Sequence, residues 1–130
     1  MSDTKTSDEL LALNLRLLQG IMQGDWDTYA ELCDPSLTAF EPEAMGQLVE
    51  GLSFHKYYFE LSSTKLPRQA TMCSPNVRVM GDVAVVSYVR LNQKLDADGN
   101  PVTSAVEETR IWQRMGGKWK HVHFHRSVVR

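Results

Sequence analysis

Apolar side chains in the first part of the chain repeat at the spacing of an α-helix. Thr6 and Glu9 form a capping box, and apolar residues then recur every three or four positions up to Gly24, a residue suited to ending a helix. Asp25 has the side chain of an N-cap, and the segment after it is short because Asp34 is followed by a proline. The pattern predicts a long first helix and a short second helix.

A third helix is predicted after a brief extended segment. Residues 37–40 have the pattern of a short strand, and Glu41-Pro42 makes continuation of a helix or strand unfavourable there. Ser53 can cap the third helix, whose large apolar side chains fall at i, i+3, i+4 and i+7, namely Phe54, Tyr57, Tyr58 and Leu61. Residues 62–67 follow as the best candidate for an exposed loop.

Beyond residue 70 the apolar period changes from helical spacing to the alternation that is typical of β-strands. Turn residues interrupt this alternation at Gly81-Asp82, between positions 96 and 101, and at Gly116-Gly117. The four predicted strands cover residues 70–80, 83–94, 103–114 and 119–128. Helices followed by an antiparallel meander predict a single domain of the α+β class.

Each of the last three predicted strands carries an arginine at a position where a sheet core normally holds an apolar residue. Arg90, Arg110 and Arg126 share the parity of large apolar neighbours, so their side chains leave the sheet on its apolar face. These neighbours are Val86 and Tyr88, Val106 and Trp112, and Val122 and Phe124. Because buried guanidinium groups need acceptors, the trio predicts a pocket that accepts a small anion or carboxylate.

Other uses of the arginines remain open at this point. Each guanidinium could reach solvent at a strand end or pair with a carboxylate such as Glu108, which shares a strand face with Arg110. Alternatively, His55 or Tyr88 could move a proton on a substrate carboxylate that the arginines hold, as in a small cavity enzyme of the dehydratase or isomerase type. No phosphate-binding glycine loop or dinucleotide motif is present, so no cofactor is predicted.

Three histidines alternate along the last predicted strand. His121, His123 and His125 share one parity, opposite to that of Arg126, so we expect them on the outer face of the sheet and outside the arginine cavity. The outer two stand about 13 Å apart along a strand, whereas zinc needs nitrogens at about 2.0–2.1 Å. The spacing therefore predicts no metal site.

The strand over residues 83–91 is apolar on both faces. One face carries Val83, Val85, Val89 and Leu91, and the other carries Ala84, Val86 and Tyr88. A strand that is apolar on both sides is normally buried on both sides, which one small sheet with helices on a single face cannot provide. The pattern therefore predicts that a partner subunit covers the outer face.

Composition narrows the choice of partners and compartment. The 130 residues are 42% hydrophobic and 23% charged, with a formal net charge of −2, so neither nucleic acid nor an anionic membrane is an expected partner. Cys33 and Cys73 have no metal-binding spacing and form no disulfide framework. The N-terminus is polar and lacks the apolar core of a signal peptide. We expect a cytoplasmic protein.

Five ungapped segments resemble the association (hub) domain of calcium/calmodulin-dependent protein kinase II. They are residues 33–44 (CDPSLTAFEPEA), 54–60 (FHKYYFE), 88–91 (YVRL), 107–112 (EETRIW) and 117–127 (GKWKHVHFHRS). The likeness runs from about Asp8 to Ser127, so the chain is divided into an N-terminal extension, residues 1–7, and an association domain, residues 8–130.

The resemblance implies a fold, an assembly and a site. The fold is the cone shape of nuclear transport factor 2, with a long N-terminal helix across a curved antiparallel sheet. The assembly is a closed double ring built from dimers, and a kinase hub is a further partner by co-assembly. The site is a deep cavity for small carboxylates whose arginines match Arg90, Arg110 and Arg126, with His55 close by. The sequence lacks a kinase domain and a calmodulin-binding helix, so we expect a scaffold and no enzyme.

Overall fold

The computed structural model describes residues 2–61 and 68–129. The chain starts with helix α1 and a shorter helix α2, and a third helix, α3, follows a single 3-10 turn at Pro42–Ala44. The bounds of the helices are Ser2–Gln23 for α1, Trp26–Leu32 for α2 and Ser53–Leu61 for α3. All three helices predicted from the apolar spacing are confirmed, and Asp25 caps α2 by accepting a hydrogen bond from the backbone N–H of Thr28.

Six strands form one curved mixed sheet in the order β2-β1-β6-β5-β4-β3. Their bounds are Cys33–Phe40 for β1, Val49–Glu50 for β2, Arg68–Met80 for β3, Val83–Leu95 for β4, Pro101–Met115 for β5 and Lys118–Val128 for β6. Neighbouring strands are antiparallel except β1 and β6, which run parallel. The α+β class and the four-stranded meander are confirmed, and the parallel pair is an addition to the predicted antiparallel sheet.

Two predicted element boundaries are wrong. Helix α1 begins at Ser2, so Thr6 lies inside the helix and forms no capping box; residues 2–5 contain neither glycine nor proline and continue the helix. Strand β1 begins at Cys33 and not at Leu37 as predicted. The strand can include Pro35 because its pairing with β6 is interrupted there, so the missing N–H of the proline leaves no hydrogen bond unmade. The predicted loop at 62–67 lies outside the described residues. The boundary after residue 7 stays a prediction.

Helix α1 packs against the sheet and closes one side of the core. Its buried leucines meet the apolar side chains of the inner sheet face, and the main members of this core are Leu10, Leu17, Leu18, Leu37, Ala84, Val86, Trp112 and Phe124. Asn14 is also fully buried, and its side-chain oxygen accepts a hydrogen bond of 3.0 Å from the indole N–H of Trp112. That bond satisfies two polar groups and fixes α1 to the centre of the sheet.

A β-bulge in β6 changes which residues face the core. Ile111 of β5 pairs with His123, but the next residue, Trp112, pairs with His121, so Val122 is an extra residue in β6. His121 therefore turns inward and is fully buried, whereas His123 and His125 lie on the other face beside β1. The prediction that all three histidines share the outer face is wrong for His121, because strict alternation fails at the bulge.

The outer face of β4 is apolar and only half-buried. Val83, Val85, Val89 and Leu91 alternate with fully buried inner residues, and Ile111 of β5 lies directly opposite Val85. Between Val83 and Leu91 the outside of β4 is therefore an apolar strip that only Ser87 interrupts. Among the described residues, no helix is long and apolar enough to cross a membrane.

Candidate functional site

A cavity of about 100 Å³ lies between the inner face of the sheet and the helices. Its described lining combines three guanidinium groups, two carboxylates, one imidazole and a set of apolar and aromatic side chains, namely Arg90, Arg110, Arg126, Glu41, Glu43, His55, Ile21, Tyr29, Tyr58, Phe59 and Phe124. Four of the five predicted site residues, Arg90, Arg110, Arg126 and His55, therefore meet in one cavity. The fifth, Tyr88, is not among the lining residues.

Glu108 lies behind the cavity and holds two of the arginines. Its carboxylate is almost completely buried and accepts hydrogen bonds from Arg110 Nη2 at 3.0 Å and from the Tyr88 hydroxyl at 2.5 Å. Arg110 Nε donates to the Tyr88 hydroxyl oxygen at 2.9 Å, and the guanidinium lies 4.4 Å from the ring centroid of Phe124. Pairing with Glu108, one of the structural uses considered from the sequence, is thus realised for Arg110.

The protonation states in this network follow from burial and charge. Burial alone would raise the pKa of Glu108, but Arg110 and Arg90 outweigh it and hold that pKa below the ordinary value. Burial alone would lower the pKa of Arg110, and Glu108 reverses the direction. Burial is also the main reason why the pKa of Tyr88 rises to about 12. Tyr88 is therefore a neutral donor to Glu108, and it is not placed to exchange a proton with a molecule in the cavity.

Arg90 has two buried N–H groups that make no hydrogen bond within the described residues. Its Nη1 lies 3.1 Å from a carboxylate oxygen of Glu108, which is an ion-pair distance without hydrogen-bond geometry. Within the described residues, Nε and Nη1 of Arg90 are buried and have no hydrogen-bond partner. Burial lowers the pKa of Arg90, against the opposing charge of Glu108. A buried cation with two unused donors at a cavity wall is suited to binding an anion.

Arg126 occupies the more exposed end of the cavity. Its Nη2 donates to both carboxylate oxygens of Glu43, and Glu41 lies 4.0 Å away. Burial alone would raise the pKa of Glu43, but the hydrogen bond and the charge of Arg126 bring it below the ordinary value. Glu43 is therefore ionised at neutral pH and already occupies Nη2 of Arg126.

His55 is fixed by partners on two sides. Its Nε2 donates to Glu41 at 2.7 Å, and its Nδ1 lies 3.5 Å from the Tyr29 hydroxyl. The ring also contacts Phe124, with ring centroids 5.3 Å apart. His55 is therefore held in one orientation at the cavity wall. His55 and Tyr88, the two residues considered for proton transfer, make no hydrogen bond with each other.

The sequence pattern missed seven residues of the described lining, and three of these hold the arginines or His55: Tyr29, Glu41 and Glu43. A signal for Glu41 is present, because Leu37, Ala39 and Glu41 continue one alternation and the first two are fully buried core residues. Glu43 has no such signal, since it lies on the 3-10 turn, where strand alternation no longer applies.

His121 and Cys33 form a separate buried pair behind the cavity. His121 Nε2 accepts from Arg110 Nη1 at 3.3 Å, so its Nδ1–H faces the Cys33 sulfur, also at 3.3 Å. Burial and then Arg110 keep the pKa of His121 well below its ordinary value, and burial raises that of Cys33 to about 12. Both groups are neutral and structural.

No three metal-binding side chains cluster anywhere in residues 2–61 and 68–129.

The sequence matches a family model almost from end to end. The model is described as the calcium/calmodulin-dependent protein kinase II association domain, and it matches residues 6–129. The delta subunit of the calcium/calmodulin-dependent protein kinase type II from rabbit, Oryctolagus cuniculus, is 48% identical over 122 residues. The match covers 92% of this chain but only 23% of the rabbit protein, and a kinase domain is not part of the matched region.

Solved structures agree with that match. The hub homology domain from Chlamydomonas reinhardtii is 53% identical, with a TM-score of 0.91 over 96% of this chain and 99% of that chain. A nuclear transport factor 2-like superfamily protein from Salmonella enterica serovar Typhimurium is only 20% identical, with a TM-score of 0.80 over 98% of this chain and 94% of its own. The second likeness concerns the fold alone, and it confirms the predicted nuclear transport factor 2-like architecture.

Proposed function

The chain belongs to the calcium/calmodulin-dependent protein kinase II association domain family, and from this premise we propose that its copies assemble into a closed double ring. The observation that carries the proposal is the outer face of β4, which presents four half-buried apolar side chains beside Ile111 of β5. A surface of this kind is typical of an interface that is buried in an oligomer. The double ring is expected to use this strip between neighbouring copies.

The assembly is tested by measuring its mass in solution. Native mass spectrometry and light scattering at micromolar concentration should give one discrete species with an even number of copies, because rings built from dimers close only at even numbers. A monomer at that concentration would contradict the proposal. A series of species of increasing length would contradict closure, because a non-closing contact produces open filaments.

Co-assembly with a kinase hub is the partner interaction that the same interface supports. At 48% identity with a kinase subunit, the chain keeps enough of the family surface for mixed rings to be a specific proposal. Mixing the two proteins, one of them isotopically labelled, and recording native mass spectra should show intermediate masses. Co-assembly would be contradicted if only the two original masses remained after incubation under conditions in which rings exchange subunits.

We also propose that the cavity binds a small carboxylate or another small anion. The supporting observation is Arg90, whose buried Nε and Nη1 lack hydrogen-bond partners within the described residues. The apolar lining, which includes Ile21, Phe59 and Phe124, favours a carboxylate with a short hydrocarbon tail. Such a ligand would stabilise the folded protein relative to the unfolded chain.

Butyrate is a suitable probe for this site. Thermal unfolding in sodium butyrate should occur at a higher temperature than in sodium chloride of equal ionic strength, because a ligand that binds only the folded state raises its stability. Arg90→Lys should reduce the shift, since it replaces the planar set of donors by a point charge. Arg114→Lys is the matched control, because Arg114 pairs with Asp82 outside the cavity. An equal shift in all three proteins would contradict binding at Arg90.

A further inference from the structure

The cavity contains its own carboxylate at the place where an external anion would arrive. The side chains of Arg126 and Glu43 are 18% and 38% exposed, whereas those of Arg90 and Arg110 are 6% and 1% exposed. The Arg126–Glu43 pair therefore stands at the solvent end of the cavity. An anion that enters from solvent meets this pair before it reaches Arg90.

Glu43 already occupies one nitrogen of Arg126. Both of its carboxylate oxygens accept from the same guanidinium nitrogen, Nη2. The pair is charge-balanced, so an incoming carboxylate finds Arg126 already neutralised. Displacement of Glu43 would free Nη2 and the charge of Arg126 for the newcomer, in addition to the donors of Arg90.

The backbone of Glu43 differs from that of the other acidic residues near the cavity. Glu108 lies within β5 and its carboxylate is buried, and Glu41 is buried and bonded to His55. Glu43 lies instead on the single 3-10 turn Pro42–Ala44, which ends at Met45 in the left-handed region at φ 54°. The turn contributes only the partly buried Ala44 to the packing of the core and has no fully buried side chain. Glu43 is thus the carboxylate that can leave its arginine with the least disturbance of the sheet.

We propose that Glu43 is an internal competitor that sets the affinity and selectivity of the cavity for anions. The inference rests on the proposed carboxylate site and adds a residue that determines its strength. Without a ligand, Glu43 is paired with Arg126. In the bound state the carboxylate of the ligand takes Arg126 together with the free donors of Arg90, and Glu43 turns to solvent. Weak anions such as chloride fail to displace it.

The expected effect follows from the exposure of the pair. Without a ligand, Glu43 is mostly paired with Arg126 and is turned to solvent in a minor fraction of the molecules. A partly exposed ion pair shifts this equilibrium only modestly, so competition by Glu43 lowers the apparent affinity for butyrate by about fivefold. Glu43→Gln keeps the size of the side chain and removes its charge. The variant should therefore bind butyrate about fivefold more tightly than the unmodified chain and should also respond to chloride.

The experiment compares three versions of the assembled protein. Butyrate is titrated into the unmodified chain, Glu43→Gln and Glu31→Gln, and the dissociation constant is obtained from the dependence of the unfolding temperature on ligand concentration. Glu31→Gln is the matched control, because it makes the same chemical change in the exposed Arg16–Glu31 pair, away from the cavity. Tighter binding by Glu43→Gln alone supports the inference.

The outcomes separate this inference from the carboxylate site itself. Equal binding by all three proteins overturns the role of Glu43 and leaves the site intact, whereas binding by none of them overturns both. A second measurement requires no variant: hydrogen exchange of the backbone around residues 42–45 should become faster on butyrate binding, because the turn loses its contact with Arg126. Unchanged or slower exchange there, with butyrate bound, overturns the displacement step.

Discussion

At the scale of single residues, the carboxylate of Glu108 decides whether the interior tolerates its charges. Arg90 and Arg110 are both buried on the inner face, and both lie within 3.1 Å of Glu108 oxygens. Two buried cations beside one buried anion would be unstable without further partners. Tyr88 supplies one hydrogen bond to the anion, and the Phe124 ring supplies a favourable face for Arg110. The network therefore stabilises the fold, and its arginines also form part of the cavity wall.

Replacement of Glu108 by Gln should destabilise the protein strongly. The change leaves two buried guanidinium groups without an anion, and breaking a buried ion pair typically costs about 3–5 kcal/mol. Denaturant unfolding at fixed protein concentration measures the loss. Glu31→Gln breaks an exposed arginine pair and should cost less than about 1 kcal/mol. Similar losses for the two variants would show that Glu108 is not the essential counter-ion.

His121 should make the stability depend on pH below about 6.5. Its folded pKa is held well below the ordinary value, so below about pH 6.5 the unfolded chain takes up a proton that the folded chain refuses. The free energy of unfolding then falls as pH falls, by at most about 1.4 kcal/mol per pH unit for one group. Unfolding curves between pH 7 and 5 measure this slope.

The His121→Gln variant isolates that contribution. A glutamine can still accept from Arg110 and donate to Cys33, but it does not titrate, so the slope should become shallower in this range. His123, whose pKa burial and then His125 lower, is present in both the unmodified chain and His121→Gln, so its contribution remains in the slope of each. An unchanged slope in His121→Gln would contradict the assignment.

How far the site could be predicted depends on where each residue lies. Arg90 and Arg110 are inward because β4 and β5 alternate regularly up to those positions. His121 was misplaced because one extra residue, Val122, reverses the parity of everything before it in β6. Glu43 could not be found at all, since its position depends on a turn that only tertiary contacts define. Parity is informative within a regular strand and loses its meaning at bulges and turns.

At the scale of elements, the turn between β5 and β6 sets the register on which the cavity depends. Gly116 and Gly117 both have positive φ, at 58° and 80°, as a two-residue hairpin turn with right-handed strand twist requires. Gly117→Val should therefore cost about 1–2 kcal/mol, because a β-branched residue avoids this region. Gly117→Asn, whose side chain tolerates positive φ, should cost clearly less in the same unfolding assay. Equal costs would exclude backbone strain as the cause.

The elements themselves were largely predictable because each has a strong local signal. The three helices have apolar faces, and the four meander strands are separated by glycine-containing turns at clear positions. The edge of the sheet was not predictable to the same degree. Strand β2 has two residues, and the parallel pairing of β1 with β6 joins residues about 85 positions apart in the sequence, as in the Thr38–His123 hydrogen bond. Such long-range pairing produces no periodic pattern in the sequence.

At the scale of the whole molecule, one sheet serves two purposes through its two faces. The inner face carries the core and the cavity, and the outer face carries the apolar strip on β4 and β5. Because alternate residues of the same strands contribute to both, the cavity and the proposed interface are separated by the thickness of one sheet. If both proposals hold, a ligand that fixes Arg90 of β4 would act on the strand whose outer face carries Val89 and Leu91.

A lysine at position 85 should break the assembly without unfolding the subunit. Val85 lies on the outer face opposite Ile111, and a buried ammonium without an anion would cost several kcal/mol in an interface, whereas in a free subunit the lysine reaches water. Native mass spectrometry should show a smaller species, while circular dichroism should show the original α+β spectrum. Val85→Ile, which keeps the apolar surface, should retain the full mass. If Val85→Lys also retained it, the strip on β4 would not be part of the interface, and the neighbouring copies would have to meet through another surface.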